Sequence, residues 1–325
     1  MTIPESNAHA SGKSKKSAWI NIALFAVGMG LLGWSIYSNR IQLQRCLSGE
    51  LHYSWIFQAF LLHFLGVMIA FLRWFGLVRL QGIRIPLADS LRLSIVGGLF
   101  NLIIPGAVGG DLVKAAYLSR MDLPRTRVIA SMVIDRLLGL LGLFLLAAMA
   151  GLSAWPSSDL PVKRLTIAVL IATSAIIIFL ALIFSGIVGK KSQKMAELNA
   201  MSAAYRNHLT GVMAWTIASV FVHIFNTMAF YRMSLAILPQ LKIGLIQHFQ
   251  IVPLVLFSTA VPLPLGAIGF SENVSDQLFQ NVGHPNGAIA MMGFRILQYA
   301  FAAISALIYW ANMKSMKNLT DQKQI

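Results

Sequence analysis

Cysteine is nearly absent from this sequence. Cys46 is the single one among 325 residues, which excludes an intrachain disulfide and any multi-cysteine metal site. The seven histidines show no HxxxH or HExxH spacing, so a histidine metal site has no support either. Acidic residues are scarce, eleven against 26 lysines and arginines. Charged residues together make up only 11%, where a soluble domain carries about 25%, and that shortage excludes an ordinary water-facing surface. What the chain has instead is 57% hydrophobic residues and a mean hydropathy of +0.71. Apolar runs of roughly 20 residues, the length that crosses a bilayer, recur from end to end.

The formal charge of +15 does not point to a nucleic-acid partner. The basic residues collect at the ends of the apolar runs, as Lys13/Lys15/Lys16, Arg79/Arg84, Arg120/Arg125/Arg127, Lys190/Lys191/Lys194 and Lys314/Lys317. That distribution is the positive-inside pattern of a membrane protein. The first run, Ala18 to Tyr37, is too long for a signal-peptide core and lacks a small-residue cleavage site, so it reads as a retained span. Residues 1–17 and 313–325 read as polar cytoplasmic tails, the first of them disordered.

Spans are expected at about 18–38, 54–76, 128–153, 165–187, 210–235 and 287–312. Two further segments, about 87–120 and 244–281, are apolar, then broken by Pro and Gly, then resume with an acidic residue. Lysine and arginine counting puts both ends of the first broken segment on the cytoplasmic side. The second, with sparsely charged flanks, enters from the opposite face. The resulting expectation is an all-α polytopic membrane protein with N- and C-termini inside. It has about six full spans and two re-entrant helical hairpins, arranged as two inverted repeats at 18–153 and 165–312.

The repeat is carried by matching residues. The first break reads Pro105-Gly106-Ala107-Val108-Gly109-Gly110-Asp111 and the second Pro264-Leu265-Gly266-Ala267-Ile268-Gly269-Phe270-Ser271-Glu272. Each is followed, roughly two dozen residues on, by an arginine early in the next span, Arg136 and Arg295. Proline removes an amide donor and glycine permits φ > 0, so a helix breaks there. Backbone groups freed at membrane depth are tolerated only where protein or water covers them, which places the breaks in a cavity. The helix that resumes presents its N-terminal amides to an anion such as a phosphate.

Two readings of Asp111 and Glu272 stay open, as caps of those N-termini or as substrate or proton sites as well. Asp111 with Arg136, and Glu272 with Arg295, are the expected ion pairs. Intramembrane charges otherwise mark a pathway, and Asp135 belongs with them. Asp276 stands one turn after Glu272 on the same face, where two carboxylates repel unless an arginine or a proton intervenes. Lys114, one turn after Asp111, reads either as a lipid-phosphate contact or as half of a local ion pair. Asn101 reads as a partner for freed backbone groups, and Arg92 as a snorkelling side chain. His63, His223 and His248, on apolar faces, read as packed or interfacial rather than ligating. No cofactor is expected.

Through Asn101, Pro105-Gly106, Gly109-Gly110-Asp111, Asp135-Arg136-Leu137-Leu138-Gly139, Pro264 to Gly269, Glu272 and Arg295, the chain resembles the lysylphosphatidylglycerol synthase transmembrane-region family of flippase-like proteins. The resemblance covers about residues 15–315. Asp135 stands where many members have Glu, which keeps the charge and shortens the reach. Members with an attached soluble domain make an aminoacylated phospholipid, and their membrane part is credited with moving it to the outer leaflet. Stand-alone relatives are linked to hopanoid, polyprenyl or glycolipid pathways. The last expected span ends close to Ile325, so the stand-alone form without synthase activity is expected. The resemblance implies a bacterial inner-membrane lipid translocator with a membrane lipid as substrate. The alternatives are an embedded transferase using Asp111, Asp135 or Glu272 as base or metal ligand, and a non-catalytic partner of a lipid-synthesis enzyme. The absence of a large extramembrane loop for a polar co-substrate weighs against the transferase.

Overall fold

The computed structural model describes residues 51–103, 109–121, 125–185, 202–238, 243–261, 263 and 267–311, with single positions at 33, 34, 37, 40, 41 and 44. Its long elements are α1 (Tyr53–Leu80), α2 (Leu87–Ile103), α3 (Gly109–Leu118), α4 (Arg125–Ser153), α5 (Leu160–Ser185), α6 (Leu209–Ile237), α7 (Leu245–Ser258), α8 (Phe270–Gln280) and α9 (Gly287–Ala311). Among the described residues there is no strand. Among the described residues, five helical stretches are long and apolar enough to cross a bilayer: Tyr53–Leu80, Ser131–Ser153, Leu160–Ser185, Leu209–Ile237 and Gly287–Leu307. They correspond to five of the six expected spans. The sixth, at about 18–38, lies outside the described residues apart from positions 33, 34 and 37.

Local chemistry explains where the helices stop. After α1 the chain turns at Gln81 and Gly82, and Gly82 takes φ +75, a conformation that favours glycine. Pro86, which has no amide to leave unpaired, sits immediately before α2, and its carbonyl accepts the Ser90 N–H at 3.1 Å. The first expected break, Pro105-Gly106, lies outside the described residues, as do Pro264 and Gly266 of the second. What is described is that one helix ends at Ile103 and the next begins at Gly109, and that α7 and α8 flank the second break.

The helices are apolar nearly all round, as membrane helices are. On α5 the most apolar window has a mean hydropathy of 3.0 and is only 17% buried within the protein, so lipid rather than protein is the solvent for most of that helix. Lipid gives no hydrophobic reason for two such helices to associate, so close packing has to hold them. Small residues provide it. Gly76 of α1 lies under the Trp215 ring of α6. A Cβ added at Gly142 of α4 would meet Ser219 Cβ at 2.5 Å and Val220 N at 2.8 Å. Gly66 of α1 would meet Asn226 Nδ2 at 3.0 Å. Helix α6 thus runs against both α1 and α4, and the α1–α6 contact is the most extensive between described elements.

Helices α2 and α3 pack on each other with the same device. A Cβ at Gly97 would approach Gly110 Cα to 2.9 Å, and one at Gly109 would collide with the Phe100 carbonyl. The glycines let the start of α3 lie directly on the end of α2, which brings Asn101, Gly110 and Asp111 to one place. Helix α8 is fixed to α9 by Ser275, whose hydroxyl donates to the Gly287 carbonyl at 2.7 Å.

Candidate functional site

Both expected ion pairs form. Arg136 of α4 binds Asp111 of α3 through Nε. Arg295 of α9 donates from Nε to Glu272 Oε1 of α8 at 2.6 Å. Each pair ties the short helix after a break to the following long helix. Their surroundings differ. Glu272 and Arg295 are buried, at 0% and 5% exposure, whereas the side chains of Asp111 and Arg136 keep 23% and 39%.

The start of each short helix is capped, though by different residues. At α8, Gly269 adopts φ +81 and its N–H donates to Glu272 Oε2 at 2.6 Å, so Glu272 is both a cap and an ion-pair partner. Ser271 donates to the same Oε2 at 3.1 Å, and Arg295 also reaches the Ser271 hydroxyl. At α3 the cap comes from the preceding helix: Asn101 Oδ1 accepts the Gly110 N–H at 2.6 Å. That leaves Asp111 to Arg136.

A third pair was not visible in the sequence. Arg73 of α1 grips Asp135 of α4 with Nε to Oδ1 at 2.8 Å and Nη2 to Oδ2 at 3.1 Å, a bidentate contact. Its Nη1 donates to Ser219 Oγ of α6 at 3.1 Å. Arg73 stands only six residues before Arg79 and reads as the edge of a basic loop. Helix α1 runs on to Leu80 rather than stopping near 76, which sinks Arg73 two turns into the protein. The available signal was the five uncharged residues that separate Arg73 from Arg79.

These groups converge on one cavity of about 380 Å³. Its walls include His63, Phe71 and Arg73 of α1, Ser94, Gly98 and Asn101 of α2, Gly110, Asp111 and Lys114 of α3, and Asp135 of α4. From the other half of the chain come Thr259, just after α7, and Arg295, Gln298, Phe301 and Ser305 of α9. Arg136, Glu272, Ser271, Gly109 and Gly269 stand behind this lining as supports and not on it.

Asp276 departs from the expected arrangement. It does not line the cavity. Its carboxylate accepts the Ala288 N–H at the start of α9 at 3.3 Å and the Gln280 amide at 2.9 Å, a position that suits the positive end of that helix. Glu272, one turn back, is held by Arg295, so the expected repulsion is resolved by separate partners. Arg92 pairs with Asp89 at 3.2 Å instead of extending alone to the interface.

Lys114 forms no ion pair or hydrogen bond among the described residues; its ammonium lies 4.4 Å from the Trp74 ring centroid. The histidines are packed, as expected. Asn226 donates to the Val222 carbonyl at 2.9 Å, so its Oδ1 is free to accept from His63 Nδ1 at 2.8 Å. His223 contacts the Gly139 carbonyl at 3.0 Å. Near the far end of the second half, burial pushes the His284 imidazole below its usual pKa. Among the described residues no three His, Cys, Asp or Glu side chains come together as a metal ion would require.

The family model of the lysylphosphatidylglycerol synthase TM region matches residues 18–306. No curated protein matches the chain.

Proposed function

Because the chain belongs to the lysylphosphatidylglycerol synthase TM-region family, we propose that it is a lipid translocator of a bacterial inner membrane, carrying an anionic or modified polar lipid between leaflets. It is a multi-pass integral membrane protein, and the observation that carries the reading is where its charges lie. Three carboxylate–arginine pairs and a lysine gather around one cavity lined by both halves of the chain. Charges at membrane depth are costly and mark a pathway for a polar cargo.

The inverted repeat supplies the means of movement. Helices α2–α3 and α7–α8 act as re-entrant hairpins from opposite faces. The equivalent long helices α1 and α6 pack on one another at the centre, and α4 and α9 carry the equivalent arginines. Rocking one half on the other opens the cavity to one leaflet at a time while lipid tails stay in the bilayer. The glycine-rich α1–α6 and α4–α6 contacts support such a pivot, since small residues make broad, smooth faces.

The embedded-transferase reading needs a free carboxylate as base, and Asp111, Asp135 and Glu272 are each held by an arginine. The test is reconstitution of the purified protein into liposomes holding fluorescent phospholipid, glycolipid and polyprenyl-phosphate probes. Membrane-impermeant quencher then reads how much probe has changed leaflet. At least one probe class is expected to cross faster than in protein-free vesicles. Failure of every class to cross, with the protein folded, overturns the proposal.

A further inference from the structure

The cavity has two ends of different character. Its wall runs from His63 to Arg73 on α1 and from Arg295 to Ser305 on α9. Ten residues separate the members of each pair, a rise of roughly 15 Å along an α-helix. At the Arg73 end the wall is loose. Ser94, Asp111 and Lys114 keep partial exposure and Gly98 is exposed.

At the His63 end the wall is shut. The His63 ring meets Phe294 of α9 edge-on at 5.6 Å. Phe294 lies 5.3 Å from Phe230 of α6, and Phe230 lies 6.0 Å from Phe279 of α8. All three phenylalanines are fully buried. The Glu272–Arg295 pair belongs to the same two helices, α8 and α9, and is the most enclosed ion pair among the described residues. Asp111–Arg136, its counterpart in the first half, is partly exposed.

Polar atoms are nevertheless hidden in the shut end. Thr227 Oγ1, three residues before Phe230, is buried with no hydrogen-bond partner among the described residues. So are His248 Nε2, whose ring meets Phe279 edge-on at 5.5 Å, and Asn286 Oδ1 in the loop before α9. A buried polar atom without a partner is costly, and each one calls for an explanation. At the loose end Ser94 Oγ is unpaired in the same way. Both ends thus carry polar atoms that a water-filled mouth would serve, and only one end has a mouth.

From this we propose that the end where α9 begins is a closed gate, sealed by Phe230, Phe279 and Phe294, which opens to water when the Arg73 end closes. The proposal rests on the translocator reading and adds to it which end is shut; the expected topology puts that end on the outer face. Ser275 and Asp276 fasten α8 to the start of α9, so these two helices move as one body and the stack parts at Phe230. Glu272 and Arg295 stay paired within that body. On opening they gain the partial exposure that Asp111 and Arg136 now have.

Thiol accessibility tests the gate. Thr227→Cys is introduced into the full chain with Cys46→Ser, and right-side-out membrane vesicles are treated with a small impermeant methanethiosulfonate reagent. Labelling is expected at roughly 0.1–10% of the rate of a free thiol, the population of a minor conformation. At Gly98, in the loose wall, an added Cβ meets nothing within 4 Å. Gly98→Trp should wedge that mouth open and slow the labelling at least about fivefold. Gly98→Leu should slow it less, and carries the comparison if the tryptophan variant does not fold. Three results overturn the proposal. No labelling of Thr227→Cys would leave the unpaired atoms to trapped water. Labelling at the free-thiol rate would mean that the end is already open, and labelling indifferent to both wedges would mean that the ends are not linked. Lipid probes are followed across liposome leaflets with the same Thr227→Cys protein. If the gate responds but no probe crosses, the translocator reading fails and the gate stands. If probes cross while Thr227→Cys stays unlabelled, the gate fails and the translocator reading stands.

Discussion

Replacing Arg295 with methionine is expected to destabilise the folded protein by about 3–5 kcal/mol, the usual loss when one partner of a buried ion pair is removed. The cause is Glu272, fully buried, with Oε1 2.6 Å from Arg295 Nε. Without the arginine, its charge keeps only the Gly269 N–H at 2.6 Å and the Ser271 hydroxyl at 3.1 Å. Two neutral donors do not offset the removal of a carboxylate from water. The double variant Arg295→Met/Glu272→Leu should recover most of the loss, because an apolar pair of similar volume replaces a buried salt bridge at little cost. It should remain about 1 kcal/mol short of the wild type, since the Gly269 cap is gone as well. Unfolding midpoints in detergent, with monodispersity on size exclusion, report both variants. A single variant as stable as the wild type would show that this pair does not hold α8 to α9. By contrast, Arg136→Met should cost less, because Asp111 keeps partial exposure and can recruit water.

The second large effect is on transport. Arg73→Gln/Asp135→Asn replaces the charged pair with shorter neutral amides, so the cavity loses its guanidinium and no buried charge is left unpaired. A charge-assisted hydrogen bond is worth about 1.5–3 kcal/mol, which corresponds to roughly a 10- to 150-fold fall in the rate of lipid movement. The stability change should be far smaller than for Arg295→Met. Liposome translocation rates and unfolding midpoints measured on the same preparation separate the two. Unchanged transport would remove Arg73 from the lipid's path. Arg73→Lys should not rescue fully, since an ammonium cannot make the bidentate contact and also reach Ser219.

Much of this arrangement was legible in the sequence, for identifiable reasons. Asp111 precedes Arg136, and Glu272 precedes Arg295, by nearly the same spacing in each half, and charge inside an apolar run has few innocent explanations. The capping role of Asn101 followed from its place just before a helix break. Arg73 was hidden because a cationic residue near a basic loop reads as part of the loop. Only the true end of α1 at Leu80 shows how deep it lies. Asp135 could be seen as a buried charge, but its partner lies 62 residues away on another helix, and no local spacing encodes that. Asp276 misled because periodicity puts it on the face of Glu272, whereas the start of α9 supplies amides that periodicity does not reveal. The glycines of the α1–α6 and α4–α6 contacts carried no signal alone. Each acquires a meaning only beside Trp215, Asn226 or Ser219.

The central claim is that the cavity shared by the two halves is a lipid headgroup site. Its most direct test is a structure of the protein extracted with its native membrane lipids. Headgroup density is expected in that cavity, with phosphate oxygens within about 2.7–3.2 Å of Lys114 Nζ and of the Arg73 guanidinium, and chains leaving into the bilayer. An acyl chain filling the cavity, with its phosphate at the membrane surface away from Lys114 and Arg73, would contradict it.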